Sequence, residues 1–365
     1  MIPIMKPNLA GNELKYVSDC VETEWISSQG YYVTKFEELV GEYIGNPYAV
    51  AVSNGTVALH LALVSLGIGE GDEVIVPDMT FAASINAVLQ AGATPVLVDV
   101  DEDTFNVSVS GIQKVITERT KAIMPVHLYG NPCDMDAINE IAEAHDLLVI
   151  EDAAEAFGSE YKGKKVGGLS DASTFSFYGN KTITTGEGGI IVFKSKEVYE
   201  HACILRDHGM RKDRRYWHDY VGYNYRMTNL QAAIGVAQME RIEKIIERKV
   251  AIADYYLQRF ESIKEIEVPK LDFKDSLNTY WLFTFLLGGN TDREEFRKYL
   301  SVKNIETRPT FISAHEMPPY RTLKRGEVPN SKLISQRGVS IPSYIDLKDS
   351  ELEYIATQIV NYFQK

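Results

Sequence analysis

The sequence predicts an α/β protein: a mainly parallel, seven-stranded sheet with helices on both faces, followed by a smaller C-terminal α+β domain. Three observations predict it. Short apolar, β-rich runs recur as far as residue 193, segments with helical apolar spacing lie between several of them, and the texture changes after residue 228.

The strand runs are YAVAVS (48–53), EVIVP (73–77), TPVLVDV (94–100), AIMPVH (122–127), LLVIED (147–152), STFSFY (173–178) and GIIVF (189–193). Several lack polar alternation, as strands buried on both faces of a parallel sheet do. Between them, TVALHLALVSLG, FAASINAVLQAG and DMDAINEIAEAHD carry apolar residues at helical spacing. The glycines closing the first two read as C-terminal stops. From Thr228, TNLQAAIGVAQMERIEKIIERKVAIADYYLQRFESI reads as one long amphipathic helix that connects two domains. TYWLFTFLLGG is then a strand, and DREEFRKYLSVKN and ELEYIATQIVNYF are helices. The expected division is 1–240 for the large domain and 241–365 for the small one, with LAGNELKYVSDCVETEW left free to pack on either.

Composition narrows the function. The 365 residues include 38 basic and 51 acidic side chains, a net charge of −13. Such a surface disfavours nucleic acid and anionic membranes as partners. Cys20, Cys133 and Cys203 are odd in number and far apart, without a CxxC pair, which fits a reducing cytoplasm. MIPIMKPNLAG lacks the continuous apolar region of a signal peptide. The longest apolar stretch, 49–69, is interrupted by Ser53, Asn54, Gly55, Thr56 and His60, so no membrane span is expected. Seven histidines show neither HxH nor HExxH spacing, and no metal site is expected.

Ligands of open α/β sheets gather at the carboxyl ends of strands. At the first such end, Asn54-Gly55-Thr56 opens a helix: free N–H groups, a glycine allowing close approach and a hydroxyl make a phosphate seat. An ordinary N-cap explains these residues equally well. A Walker A loop is absent, since no GxxxxGK(S/T) occurs, and GIGEG (67–71) is no dinucleotide fingerprint because it follows a helix rather than a strand. In VIEDAAEAFGS, Asp152 ends a buried strand, with Glu151 before it and Glu155 after it. It can cap a helix, hold a metal or pair with a cationic heterocycle. In FSFYGNKTITTGEGG (175–189), Lys181 follows a buried strand and precedes a glycine turn. An unpaired cation there is costly, and a desolvated lysine amine is a good Schiff-base former. Phosphate seat, acid and lysine supply one partner for each handle of pyridoxal phosphate.

These stretches, with TEWISSQGYYV, GDEVIVPDMTFAAS, HLYGNPCDM, YWHDYVGYNYRMTN and IETRP, span nearly the whole chain. It resembles the fold-type I, pyridoxal-phosphate-dependent nucleotide-sugar aminotransferases. That resemblance implies that Lys181 is the catalytic, cofactor-linked lysine and that Asp152 pairs with the pyridine nitrogen. It further assigns Asn54, Gly55, Thr56 and Ser176 to the phosphate and Phe81 to ring stacking. Glu155 stands near the ring, at a position often held by glutamine. Asn224 matches an asparagine that reaches the cofactor phosphate of the neighbouring subunit, which implies a homodimer with shared sites. The basic run RDHGMRKDRRYWHDY (206–220) suits a nucleoside diphosphate, with Arg214 and Trp217 as contacts, although a solvated loop explains it too. Arg308 and His315 resemble a loop closing over the substrate, in which Ser313 departs from the family's proline. The implied reaction moves an amine from L-glutamate to C4 of a nucleotide-linked 4-keto-6-deoxy sugar, GDP-linked first, UDP- or dTDP-linked as the alternative. Sugar dehydratases of the same fold carry histidine where Lys181 stands. A PLP-responsive regulator would add a DNA-binding segment.

Overall fold

The structure, a computed structural model, describes residues 1–271 and 273–364, so Lys365, the expected last residue of the small domain, lies outside it. The seven expected strands form as β1 (Ala49–Val52), β2 (Glu73–Pro77), β3 (Thr94–Val98), β4 (Thr120–Ile123), β5 (Leu148–Asp152), β8 (Ala172–Ser176) and β9 (Gly189–Phe193). Between them, β6 (Glu160–Tyr161) and β7 (Lys164–Lys165) make a separate two-stranded ribbon. Downstream lie β10 (Ile266–Glu267), β11 (Phe283–Leu287), β12 (Arg308–Pro309), β13 (Lys324–Arg325) and β14 (Gly338–Ile341).

The large sheet has eight strands rather than seven, in the order β1-β9-β8-β5-β4-β2-β3-β13. Its extra edge is β13, pairing Lys324 with Val96 and Arg325 with Leu97 in parallel. Two charged residues carry no strand pattern, so the sequence could not announce it. Only β9 runs antiparallel, to β1 on one side and β8 on the other. Both faces are covered. In β1, Val50 and Val52 enter one apolar core while Ala49 and Ala51 enter the other, which is why the run lacks polar alternation. Gly67 and Gly92, just past helices Gly55–Ser65 and Ala82–Gln90, have φ of 77° and 84°, the left-handed stop expected of them.

The expected long helix is two helices, Asn229–Met239 and Ile242–Phe260. Arg241 leaves helical geometry at φ −123°, ψ 7°, and its guanidinium is held by the side chains of Asn8 and Glu13. Helices Glu13–Glu22 and Tyr31–Ile44 pack on Asn229–Met239. Further upstream, Ile2 bridges to Ile305 and the Ile4 N–H donates to Glu306. The N-terminal segment thus touches both halves of the chain. A second, antiparallel sheet, β10-β11-β14-β12, packs with helices Ile242–Phe260, Arg293–Val302 and Asp349–Phe363 around Phe283, Phe285 and Phe296. Among the described residues no helix is long and apolar enough to cross a membrane.

Candidate active site

The carboxyl ends of β5 and β8 and the turn after β1 converge on a cleft of about 520 Å³. Asn54 has extended backbone and accepts the Val57 N–H at 3.1 Å, so it caps helix Gly55–Ser65. A helix start leaves its first N–H groups without intrahelical acceptors, and here Gly55 and Thr56 line the cleft. A Cβ on Gly55 would stand 2.8 Å from the Ser176 Cβ. Glycine therefore lets the helix settle onto β8 beside the Ser176 hydroxyl.

Asp152, the last residue of β5, is buried. Its Oδ2 accepts from the Ser84 hydroxyl at 2.7 Å and its Oδ1 from the Ala154 N–H at 3.2 Å. Burial raises its pKa, and the bonds from Ser84 and Ala154 and the charge of Lys181 oppose that rise. Glu155 is buried one turn away; its Oε2 accepts the Tyr129 N–H at 2.8 Å. Burial pushes its carboxyl up to about 7, against the pull of Lys181. The Lys181 amine lies 3.7 Å from Glu155 Oε1. Its pKa is lowered by burial, with Glu155 and then Asp152 acting the other way. An amine of this kind holds its proton loosely.

Aromatic rings close one side. The Trp281 ring centroid is 3.9 Å from Lys181 Nζ, and its indole N–H donates to the Asn180 carbonyl at 2.7 Å. Tyr129 lies parallel to Trp281, at 6° and 6.1 Å, and Phe311 to Tyr129, at 12° and 5.5 Å. Tyr129 adopts a left-handed backbone (φ 54°), the conformation from which its N–H meets Glu155. Phe81 is 59 % exposed, standing at the N-cap of helix Ala82–Gln90 and 5.9 Å from Phe311.

Of the expected site residues, Asn54, Gly55, Thr56, Phe81, Asp152, Glu155, Ser176, Lys181 and Arg308 all line this one cleft. Arg214, Trp217, Asn224 and His315 are not among its lining residues. Arg214 stacks on Trp217 at 3.9 Å, and both are exposed. Asn224 is exposed and accepts from Arg226. His315 is engaged by buried Asp78, to which its backbone N–H (3.0 Å) and its Nδ1 (2.8 Å) both turn. Sequence reasoning missed Ser84, Tyr129, Trp281 and Phe311. Ser84 had a signal, one helical turn after Phe81; Trp281 was hidden in a run read as strand.

A cavity of about 590 Å³ along β3 and β13, lined by Lys114, Lys324 and Arg325 among others, holds none of the expected residues. Nine of the expected site residues line the smaller cleft instead. Among the described residues, no group of three or more His, Cys, Asp or Glu side chains is placed to hold a metal ion.

The DegT/DnrJ/EryC1/StrS aminotransferase family matches residues 7–360. The chain is 50 % identical over 362 residues to GDP-perosamine synthase of Escherichia coli O157:H7, covering 99 % of this chain and 98 % of the relative. It is 44 % identical over 366 residues to GDP-perosamine synthase of Vibrio cholerae, covering 100 % and 99 %. Among solved structures, the aminotransferase from Psychrobacter cryohalolentis superposes with a TM-score of 0.94 at 30 % identity, over 98 % of each chain. The Streptococcus pneumoniae protein Spr1654 in its PLP form superposes at 0.93 and 28 % identity, over 100 % of this chain and 98 % of that one.

Proposed function

The chain belongs to the DegT/DnrJ/EryC1/StrS aminotransferase family, and we propose that it transfers an amino group from L-glutamate to C4 of GDP-4-keto-6-deoxy-D-mannose, giving GDP-perosamine. The cofactor is pyridoxal phosphate, and the cleft fits it. Gly55 lets the helix start sit close against Ser176, so a phosphate there would meet the helix-start N–H groups together with the Thr56 and Ser176 hydroxyls. Buried Asp152 would hold a protonated ring nitrogen, and Lys181 would take the aldehyde.

Bound there, the cofactor supplies the electron sink that lets a C–H bond beside an amino group ionise. The chain supplies the rest. Ser84 and the Ala154 N–H hold Asp152 as an oriented carboxylate. Lys181, its pKa lowered by burial, is the group that takes a proton from one carbon and returns it to another. Glu155 stands 3.7 Å away as its companion acid. Trp281, Tyr129 and Phe311 stack as an apolar wall on that side. Arg308, at the cleft wall, suits an anionic group of donor or sugar nucleotide.

The observation that carries the reading is the meeting of the Lys181 amine, the Asp152 carboxylate and the Gly55 helix start in one cleft. The protein acts as a homodimer with shared sites, which gives exposed Asn224, Arg214 and Trp217 a use beyond their own subunit. It works in the cytoplasm and feeds surface-polysaccharide (O-antigen) synthesis. Lys181→Ala tests the chemistry: turnover is expected to vanish, and turnover at the wild-type rate would contradict the assignment.

A further inference from the structure

Lys249 lies within helix Ile242–Phe260 and is 1 % exposed. Its amine donates to two backbone carbonyls, of Trp281 at 3.3 Å and of Ser343 at 3.2 Å. Neither partner is a carboxylate. Burial pushes the amine down to about 7, and among the described residues no charge acts against it. A cation or amine placed so deep is costly, and a methionine or leucine would fill the same volume without that cost.

A second cost is found beside it. Tyr280, immediately before Trp281, has φ 48°, a left-handed backbone that a residue of its size adopts only where its surroundings enforce it. Two bonds hold the chain in that shape. The Tyr280 N–H donates to the Asn278 side chain at 2.6 Å, and the Thr279 and Ser159 hydroxyls meet at 2.8 Å. The outcome is the placement of one indole: Trp281 reaches over the Lys181 amine and bonds the carbonyl of Asn180, the residue just before that lysine.

We propose that Lys249 is a positioning residue for catalysis, fixing the Trp281 backbone so that the indole stays against the Lys181 amine. It is not among the residues lining the cleft and acts through Trp281. This role rests on Lys181 being the reacting amine.

Lys249→Met keeps the volume and removes the donor. In the cofactor-free protein, hydrogen exchange at the Trp281 indole N–H is expected to quicken about ten-fold, while amides of β5 exchange as in the wild type. In the loaded enzyme, kcat is expected to fall about ten-fold with KM changed by less than about two-fold. In a Trp281→Leu background the same substitution is expected to cost less than about two-fold more, because the two residues act as a unit. Where Lys249→Met yields too little folded protein, Lys249→Gln, with a shorter reach to the two carbonyls, is read the same way. Unchanged indole exchange, equal quickening at every core amide, or fully additive kcat losses would each overturn the proposal and leave Lys249 a packing residue. Borohydride reduction of the PLP-loaded wild type, followed by peptide mapping, tests the underlying reading separately: an adduct away from Lys181 would sink that reading, whereas the exchange result stands without cofactor.

Discussion

The Lys181 amine, half-buried, stands 3.7 Å from Oε1 of buried Glu155. Burial moves each toward its neutral form, while each favours the charged form of the other. Replacing Glu155 with glutamine removes the negative neighbour that raises the lysine's pKa. The pH at which Lys181 is half-protonated is therefore expected to fall in Glu155→Gln. Competitive acetylation of the cofactor-free protein across pH, read by mass spectrometry, checks this; an unchanged or higher midpoint would contradict it.

Ser84 is the one side chain that donates to Asp152 among the described bonds, at 2.7 Å. A hydrogen bond to a charged group is worth about 1.5–3 kcal/mol. Ser84→Ala should raise the Asp152 pKa further and weaken PLP binding by ~10- to 100-fold. Equilibrium titration of the cofactor-free variant with PLP measures it. Affinity within about two-fold of wild type would show that Asp152 needs no such support.

A Cβ on Gly55 would stand 2.8 Å from the Ser176 Cβ, so a side chain there pushes the helix start away from β8. Gly55→Ala is expected to lose affinity for PLP while binding pyridoxal, which lacks the phosphate, nearly as the wild type does. Equal losses for both ligands would place the phosphate elsewhere.

His315 and Asp78 join the loop carrying Phe311 to the end of β2 by two bonds, and the Ala314 N–H adds a third to the Asp78 carbonyl. Asp78→Asn and His315→Ala are expected to lower kcat/KM for the nucleotide sugar by similar amounts, about ten-fold. The double variant should be no worse than the poorer single one. Additive losses would give His315 a contact of its own with substrate.

Much of this was legible in the sequence because it is local. Buried strands, helix stops at Gly67 and Gly92, the Asn54 cap and the Lys181 turn each depend on neighbouring residues. What was hidden depends on partners far along the chain. The helix break at Arg241 is held from Asn8, 233 positions away, and from Glu13. Trp281 is set by Asn180, 101 positions away, and by Lys249. His315 is claimed by Asp78 across 237 positions. β13 is a two-residue charged segment given strand geometry only by its neighbour β3.

The identity of the sugar nucleotide decides the function proposed for this cleft. Load the purified protein with PLP, convert it with L-glutamate, remove excess donor, and follow the cofactor's absorbance while offering one sugar at a time. Rapid return with GDP-4-keto-6-deoxymannose, and none with dTDP-4-keto-6-deoxyglucose, is the expected result. Return with the dTDP sugar alone would contradict it, leaving an aminotransferase of a different nucleotide sugar.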